Sequence, residues 1–310
     1  MDEPTEDTAA FPLRPNFWRV AWAAVRPQTL SISVSPVAVG TALAYSEGYG
    51  LSADRLLLAL CCALLIQIAT NLHNDAMDGL RGADTAARLG PLRVTAAGWA
   101  SAGQVLLASR LCLLSAFLIG MALVWAAGWP IAALGLASLM AAWSYSGGKR
   151  PLSHSPWGEL VVLVFFGWVA VVGSHWLQSG QPSSNAWLAG TAVGLPAAAV
   201  LLINNLRDLQ ADLIAGRRTL ASRLSPQASL HLHAALLLLP YLFVLLLAWP
   251  RHPAALLACA SAPLAVRRIK ALAEQAPGRW LNAELAATAR LALLTTTLLC
   301  AGLLWSTRVP

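Results

Sequence analysis

The sequence predicts an all-α protein that crosses a membrane many times, as a bundle of about nine transmembrane helices. Hydrophobic residues make up 57% of the chain and charged residues 11%, whereas soluble domains carry about 25% charged residues. Long apolar runs recur along the chain, and a helix needs about 20 apolar residues to cross a bilayer. Basic residues are concentrated in alternate connecting segments, as the positive-inside rule predicts for a polytopic protein.

Nine apolar runs are predicted to form the spans. They cover residues 28–46, 55–72, 104–127, 129–146, 159–178, 186–204, 229–249, 253–267 and 287–306. The fourth and eighth runs are short or interrupted by proline. We interpret residues 1–310 as a single integral-membrane domain. Residues 1–15 are expected to be a disordered tail, because they hold four acids and no long apolar run.

The basic residues predict the orientation of the bundle. With the N-terminus inside, sixteen of the 21 Lys and Arg residues fall in inner segments: Arg14, Arg19, Arg26, Arg81, Arg88, Arg93, Lys149, Arg150, Arg207, Arg217, Arg218, Arg223, Arg267, Arg268, Lys270 and Arg279. This asymmetry predicts that the C-terminus lies outside, and the location we expect is a bacterial cytoplasmic membrane. Topology also explains the net charge of +7, so we expect no nucleic-acid partner.

Two acidic clusters interrupt the apolar pattern. The first runs from Asn71 through Asp75 and Asp78 to Asp84, and the second is the segment 204–212. Five of the chain's 14 acidic residues lie in these clusters. Each cluster follows a predicted span, the second or the sixth, so both are expected on the inner side. The acids Asp75 and Asp208 are four predicted spans apart, which is typical of a diverged internal repeat.

The chemistry of the clusters favours a metal and a diphosphate. On a helix, residues three, four and seven apart share a face, so Asn71, Asp75 and Asp78 share one face, and Asp208 and Asp212 share another. A carboxylate near a bilayer costs on the order of 3 kcal/mol at the helix centre. Mg²⁺ is a natural partner, because it binds through a few carboxylates together with substrate phosphates.

Basic residues near the acids would bind the charge of the diphosphate that Mg²⁺ does not neutralise. Arginines follow or flank both clusters, and the glycine-containing loop from Tyr145 to Ser153 contributes Lys149. Three other polar residues remain open. Glu159 either stabilises a helix N-terminus or belongs to the site. His175 is a candidate for the cavity wall, and His73 is expected to be structural.

A cation-coupled transporter is the non-enzyme alternative, because intramembrane acids and an internal repeat also fit that class. Transporter acids tend to lie at the bilayer midplane, whereas these acids are expected at the inner ends of the second and sixth spans, with bases beside them. Their placement therefore favours an enzyme that acts on a lipid diphosphate.

Four segments resemble the UbiA superfamily of membrane prenyltransferases, and within it the 1,4-dihydroxy-2-naphthoate polyprenyltransferases of menaquinone synthesis. They are residues 26–36, 71–98, 145–153 and 204–224. The 4-hydroxybenzoate branch has a third acid where this chain has Gly82, and an Arg-Thr-x-x-Arg-Pro run after it. This chain has neither, and its Asp84 matches the later acid of the naphthoate branch.

The resemblance implies a helix bundle around a central cavity, with the active site at the cytoplasmic face. It implies Mg²⁺-dependent transfer of a polyprenyl group from polyprenyl diphosphate to 1,4-dihydroxy-2-naphthoate, with loss of CO₂, to give demethylmenaquinol. Mn²⁺ is the expected substitute for Mg²⁺. Membrane lipid is expected to surround the protein as a partner. Another aromatic acceptor, such as 4-hydroxybenzoate or homogentisate, is the alternative.

The resemblance also implies roles for individual residues. The expected metal-binding residues are Asn74, Asp75, Asp78, Asp84, Asp208 and Asp212. The expected diphosphate-binding residues are Asn74, Arg81, Arg88, Lys149, Arg207 and Arg217. The expected catalytic residues are Asn71, Asp75, Asp78, Asp208, Asp212 and Tyr145.

Overall fold

We describe the protein from a computed structural model, which covers residues 14–82, 89–275 and 278–306. These residues form helices and connecting segments, with no β-strand among them. The helices are α1 (Phe17–Val25), α2 (Leu30–Ser46), α3 (Ala53–Leu80), α4 (Ala102–Ala127), α5 (Trp129–Ser146), α6 (Gly158–Ser179), α7 (Ser184–Arg207), α8 (Leu209–Ile214), α9 (Pro226–Ala248), α10 (Ala262–Glu274) and α11 (Leu281–Ser306). The middle of α6 is π-helical, and residues Pro253–Ser261 form a 3₁₀ segment before α10.

Each of the nine predicted spans coincides with a helical segment in the described part of the chain. Seven of these segments are long and apolar enough to cross a membrane, and an α-helix satisfies its own backbone hydrogen bonds there. The other two are α5 and the broken segment from Pro253 to Glu274, which correspond to the short fourth and eighth runs. The protein is therefore an all-helical integral membrane protein. All but residues 14 and 15 of the expected disordered tail lie outside the described residues.

Local signals explain several helix boundaries. Ser101 caps α4, since its hydroxyl accepts a hydrogen bond from the N–H of Gln104 and the Gln104 side chain accepts one from the N–H of Ser101. At the other end of the bundle, Gly180 ends α6 in the left-handed conformation that glycine adopts without steric cost.

The helix α7 lies at the centre of the bundle. Its apolar window is 78% buried, a larger share than in any other candidate span of the described chain. Small residues allow α6 and α7 to approach closely. A Cβ atom built on Gly167 would lie 2.5 Å from the carbonyl oxygen of Gly190, and one built on Gly194 would lie 2.8 Å from the Cα of Gly167. This close contact fixes the wall of the cavity described below.

Polar contacts join the helix ends farthest from the acidic clusters. His175 Nε2 lies 2.7 Å from a carboxylate oxygen of Glu47. The other oxygen of Glu47 accepts hydrogen bonds from Ser183 at 3.0 Å and Asn185 at 2.8 Å. His175 thus links α6 to the end of α2 and does not reach the cavity wall. It has a structural role, which answers the question that its sequence position left open.

Candidate active site

A cavity of about 690 Å³ lies within the bundle. Most of its wall is apolar, with side chains such as Phe117, Leu139 and Phe165. One end is polar and includes residues from both acidic clusters: Arg26, Asn71, Asn74, Arg93, Tyr145, Ser153, Asn204, Asn205, Asp208, Asp212 and Arg217. The cavity therefore offers an apolar chamber that ends in amides, carboxylates and guanidinium groups.

Asn71 is held in place on the cavity wall by three neighbours. Its amide nitrogen donates to the carbonyl oxygen of Val25 at 2.8 Å and to the hydroxyl of Thr29 at 2.9 Å. Its amide oxygen accepts from Gln67 at 3.1 Å. These contacts tie the chain around Arg26, which also lines the cavity, to the middle of α3.

Asp75 faces away from the cavity. Its carboxylate accepts hydrogen bonds from the N–H groups of Val94 at 3.1 Å and Thr95 at 3.0 Å, and from the Thr95 hydroxyl. Arg26 lies 3.7 Å from the same carboxylate. Three donors and a cation therefore hold a carboxylate that is 1% exposed, and this arrangement differs from the metal-facing position expected for Asp75. It fixes the backbone next to Arg93.

Asp78 is fully buried and lies between two arginines. One carboxylate oxygen is 2.7 Å from Arg93, and the other is 2.6 Å from Arg217. A buried carboxylate is tolerated only when it is paired in this way. Both arginines line the cavity, whereas Asp78 lies behind them. Asp78 thus pairs with two guanidinium groups in this structure, and its expected role as a metal ligand stays a prediction.

Arg217 also reaches the second cluster. Its guanidinium lies 3.4 Å from the carboxylate of Asp212. The chain turns back after α8 at Gly216, which has a φ of 72°, and the N–H of Arg217 donates to the carbonyl oxygen of Asp212 at 2.8 Å. This turn directs Arg217 toward α3. The two acidic clusters therefore meet at one guanidinium group.

Arg207 and Asp208 form a separate ion pair. The guanidinium donates two hydrogen bonds to the Asp208 carboxylate, at 2.8 and 2.6 Å, and one to Asn204 at 2.9 Å. Arg207 is 6% exposed and is not on the cavity wall. It was expected at the diphosphate, but its planar donor set is instead occupied by neighbouring oxygens. Asp208 and Asn204 face the cavity.

The loop between α5 and α6 is attached to α3. Asn74 donates to the hydroxyl of Ser146 at 3.0 Å, and Arg81 donates to the carbonyl oxygens of Ser146 at 3.0 Å and Gly148 at 3.3 Å. Arg81 and Lys149 are exposed and are absent from the cavity wall. Both were expected to bind diphosphate. Arg81 instead caps the carbonyl end of α5, a position that suits a cation.

His154, in the same loop, lies near these arginines. Its carbonyl oxygen accepts from the N–H of Arg218 at 3.1 Å, so the loop is tied to the segment that carries Arg217. Burial, together with the nearby charges of Arg217 and Arg81, lowers the pKa of the His154 imidazole to about 4. The neutral imidazole is therefore the stable form at neutral pH.

The site differs in membership from the expected set. Asp84 and Arg88 lie outside the described residues. Arg93, Asn204 and Asn205 line the cavity although they were not assigned to the site. The two asparagines lie about one helical turn before Asp208, and this closeness to the second acid pair is the sequence signal that could have identified them. Arg93 is one of many basic residues, and the local sequence pattern does not show which of these residues line the cavity.

The similarity to known proteins agrees with this geometry. A match to the UbiA prenyltransferase family covers residues 33–293. The chain is 40% identical over 227 residues to 1,4-dihydroxy-2-naphthoate octaprenyltransferase of Escherichia coli K12, covering 70% of this chain and 73% of that protein. It is 34% identical over 296 residues to the Haemophilus influenzae protein of the same name, covering 91% and 95%.

Solved structures share the fold. A UbiA homologue from Archaeoglobus fulgidus, bound to GPP and Mg²⁺, has a TM-score of 0.64 at 15% identity and covers 94% of this chain and 100% of its own. The apo form of a homologue from Aeropyrum pernix K1 has a TM-score of 0.66 at 18% identity, covering 88% and 96%. The E. coli and H. influenzae relatives, at 40% and 34% identity, favour the enzyme over the transporter alternative. The chain belongs to the UbiA prenyltransferase family.

Proposed function

We propose that this protein transfers a polyprenyl group from polyprenyl diphosphate to 1,4-dihydroxy-2-naphthoate, with loss of CO₂, to give demethylmenaquinol. One observation carries the proposal: an apolar cavity of about 690 Å³ ends in oxygens and guanidinium groups from both acidic clusters. The apolar part suits a polyprenyl chain and the polar end suits its diphosphate. The names of the relatives from E. coli and H. influenzae support the choice of acceptor.

Mg²⁺ fits the polar end as an ion shared with substrate. Within the described residues, no three His, Cys, Asp or Glu side chains form a ready metal site. Mg²⁺ does not need one, since it commonly binds through one or two carboxylates, water and substrate phosphates. Asp208 and Asp212 supply the carboxylates on the cavity wall, and Asn74 and Asn204 supply amide oxygens. The Mg²⁺ bound to the A. fulgidus homologue supports this assignment.

The residues that bind the diphosphate are Arg93 and Arg217. Both line the cavity, and both are held by Asp78. Fixed cations at the point where negative charge develops stabilise a departing diphosphate. Bound Mg²⁺ would add to this by neutralising charge on the leaving group. In this assignment Asp78 and Asp75 are positioning residues, because Asp78 orients the two arginines and Asp75 holds the turn next to Arg93.

The cavity wall also protects the reacting carbon. Loss of the diphosphate leaves an allylic cation, which Tyr145 and Phe165 on the wall can face with their rings. The acceptor ring forms the new carbon–carbon bond at the carbon that bears the carboxylate. CO₂ then leaves as the bond between that ring carbon and the carboxylate breaks and its electrons return to the ring. Apolar walls keep water from the cation.

The proposed location is the bacterial inner membrane, with the site at its cytoplasmic face. Four basic residues lie at the same end of the bundle: Arg81, Arg93, Lys149 and Arg217. Arg81 contacts the loop that holds Lys149. Asp78 contacts both Arg93 and Arg217. The positive-inside rule assigns such an end to the cytoplasm. The N-terminus then lies inside and the C-terminus outside.

The test is a reconstituted reaction. Purified protein in vesicles receives Mg²⁺, a polyprenyl diphosphate and a panel of aromatic acceptors, and mass spectrometry identifies the product. We expect prenylated, decarboxylated naphthoate, and loss of product with EDTA, Asp208→Asn or Asp212→Asn. Asp54→Asn is the matched control, because Asp54 is an exposed acid away from the cavity. Product from another acceptor only, or undiminished product with EDTA, contradicts the proposal.

A further inference from the structure

A small groove lies between α3, α4 and α5, where α5 ends and the loop to α6 begins. Its volume is about 170 Å³, and its wall includes His73, Arg110, Trp143 and Gly148. None of its lining residues belongs to the wall of the active-site cavity. The groove has the volume of about five water molecules, which is room for a phosphate group. It is therefore a separate place at which a ligand could bind.

The groove lies on the surface of α4 that faces lipid. Leu107 and Leu114 are three and four residues from Arg110 and so share its side of the helix. They are 58% and 53% exposed, as expected for a membrane-spanning helix in contact with lipid chains. Across the groove from Arg110 lie Gly147 and Gly148, directly after the end of α5. Arg110 is thus level with the end of an apolar helix, where lipid head groups begin.

His73 supplies an unused hydrogen-bond donor to the groove. Its side chain is only 6% exposed, and its ring makes no hydrogen bond to any residue that the structure describes. The ring lies against Trp143, with centroids 6.4 Å apart. Its nitrogens are not fully enclosed, so they are accessible from the groove that the residue lines. A neutral imidazole carries one N–H group, and a buried donor without an acceptor is costly. The ring therefore suits an acceptor that a ligand brings.

The charge around the groove favours an anion. The charges of Arg81 and Arg110 both act on the His73 ring, and no carboxylate of the described chain does so. Arg110 also has no acid within ion-pair distance among the residues described. The N–H of Gly148 donates to no atom of residues 14–82, 89–275 or 278–306. Guanidinium, imidazole and backbone N–H groups are all donors that suit phosphate oxygens.

We propose that this groove binds the phosphate head group of an anionic phospholipid. Basic pockets between membrane helices bind such head groups. Arg110 donates to the phosphate oxygens with its planar donor set, and the N–H of His73 adds a further hydrogen bond. Leu106 and Leu113 also line the groove and contact the apolar part of the lipid. The polyprenyl diphosphate of the proposed reaction also carries phosphate groups, but its site is the other cavity, and this separation favours a lipid that is not a substrate.

The test is lipid retention by the full chain, measured by native mass spectrometry. The protein is released from vesicles of phosphatidylcholine mixed with phosphatidylglycerol. We expect the wild type to retain phosphatidylglycerol in preference to phosphatidylcholine. In Arg110→Gln this preference falls about tenfold or more, because hydrogen bonds between charged groups are lost. Arg110→Lys keeps the charge without the planar donor set and loses less. His73→Phe keeps a ring without a donor and also loses less than Arg110→Gln.

Arg290→Gln is the matched control. Arg290 is exposed and lies nine residues after Leu281, at the start of α11, much as Arg110 lies eight residues after Ala102, at the start of α4. It does not line the groove, so we expect the wild-type lipid preference. Equal losses in Arg110→Gln and Arg290→Gln would show that only the general positive charge matters and would overturn the proposal. A wild type without preference for phosphatidylglycerol also overturns it.

Three further outcomes assign the groove to another occupant and overturn the proposal. The first is displacement of phosphatidylglycerol by an unreactive prenyl thiodiphosphate whose own affinity falls in Arg110→Gln. The second is its displacement by excess inorganic phosphate. The third is a wild-type dimer that Arg110→Gln converts into a monomer, which assigns this surface to a second copy of the chain. Lipid retention is measured without turnover, so the proposal and the proposed prenyl transfer can fail independently.

Discussion

Arg217 lies 2.6 Å from Asp78 and so connects the end of α3 to the segment after α8. The same guanidinium lies 3.4 Å from Asp212, and Arg93 completes the group at 2.7 Å from Asp78. Two carboxylates and two guanidinium groups thus balance in charge at the polar end of the cavity. The acids of the two clusters tolerate each other here because arginines lie between them.

Replacing Arg217 by Gln is expected to reduce both stability and activity. The change leaves Asp78 with one cation in place of two, and breaking a buried pair costs about 3 kcal/mol or more. A lost cation at the leaving group lowers kcat by about 100-fold or more. Thermal unfolding in detergent and steady-state kinetics measure the two effects.

The double variant Arg217→Gln with Asp78→Asn separates the effects. It removes both charges of the pair, so we expect it to recover stability relative to Arg217→Gln but to recover no activity. Arg218→Gln is the control, because Arg218 is an exposed arginine at the next position. Full recovery of activity in the double variant would show that Arg217 does not act on substrate.

Asp75→Asn tests whether this acid positions the backbone or binds metal. The variant places an amide opposite the N–H groups of Val94 and Thr95, so we expect a loss of about 1–3 kcal/mol in stability. Activity should fall through displacement of Arg93, and the effects of Asp75→Asn and Arg93→Gln should therefore be less than additive.

The Mg²⁺ dependence of Asp75→Asn is the decisive measurement. If Asp75 is a positioning residue, its substitution leaves the Mg²⁺ concentration for half-maximal activity unchanged. If Asp75 is a metal ligand, its substitution raises that concentration. Asp208→Asn is the comparison, because Asp208 faces the cavity. We expect this substitution to raise the Mg²⁺ concentration for half-maximal activity. A rise of equal size in both variants would restore Asp75 to the metal site.

Gly167→Ala is expected to destabilise the bundle. The added Cβ would lie 2.5 Å from the carbonyl oxygen of Gly190, so α6 and α7 must move apart. Overpacking of this kind costs about 1–3 kcal/mol. Thermal unfolding in detergent measures the loss. Gly103→Ala is the control, since a Cβ at Gly103 meets no atom within 4 Å, and equal stability of the two variants would contradict the contact.

The low pKa of His154 predicts a loss of stability in acid. The imidazole has a pKa of about 4 in the folded protein, compared with an ordinary value of 6.5. The unfolded chain therefore binds more protons between these values, and the contribution of the neutral imidazole is lost as pH falls through that window. We expect His154→Asn to show a smaller fall in unfolding temperature than the wild type between pH 7 and pH 4.5.

A control for this pH dependence is His231→Asn, because His231 is exposed on α9. Its pH dependence should match that of the wild type. If His154→Asn also matches the wild type, His154 is not the group that titrates between pH 7 and pH 4.5.

The helices were predictable because apolarity is a local property. The predicted run 186–204 depends only on neighbouring residues, and its helical state follows from the need to satisfy backbone groups in lipid; the observed helix covers Ser184–Arg207. The 3₁₀ segment from Pro253 to Ser261 was harder to predict, because a proline in the sequence is compatible with either a kinked helix or a turn. Helical spacing placed Asn71, Asp75 and Asp78 near one another but did not reveal that the Asp75 carboxylate is held by Val94 and Thr95.

By itself, the sequence determined that this chain is a helical membrane protein of a prenyltransferase family with two acidic clusters. Only the tertiary structure decided which oxygens face the cavity. Successive residues of a helix differ by about 100° in direction, so Asp75 and Asp78 meet different neighbours although they are three residues apart. Those neighbours, Thr95, Arg93 and Arg217, come from connecting segments whose paths depend on the packing of the whole bundle.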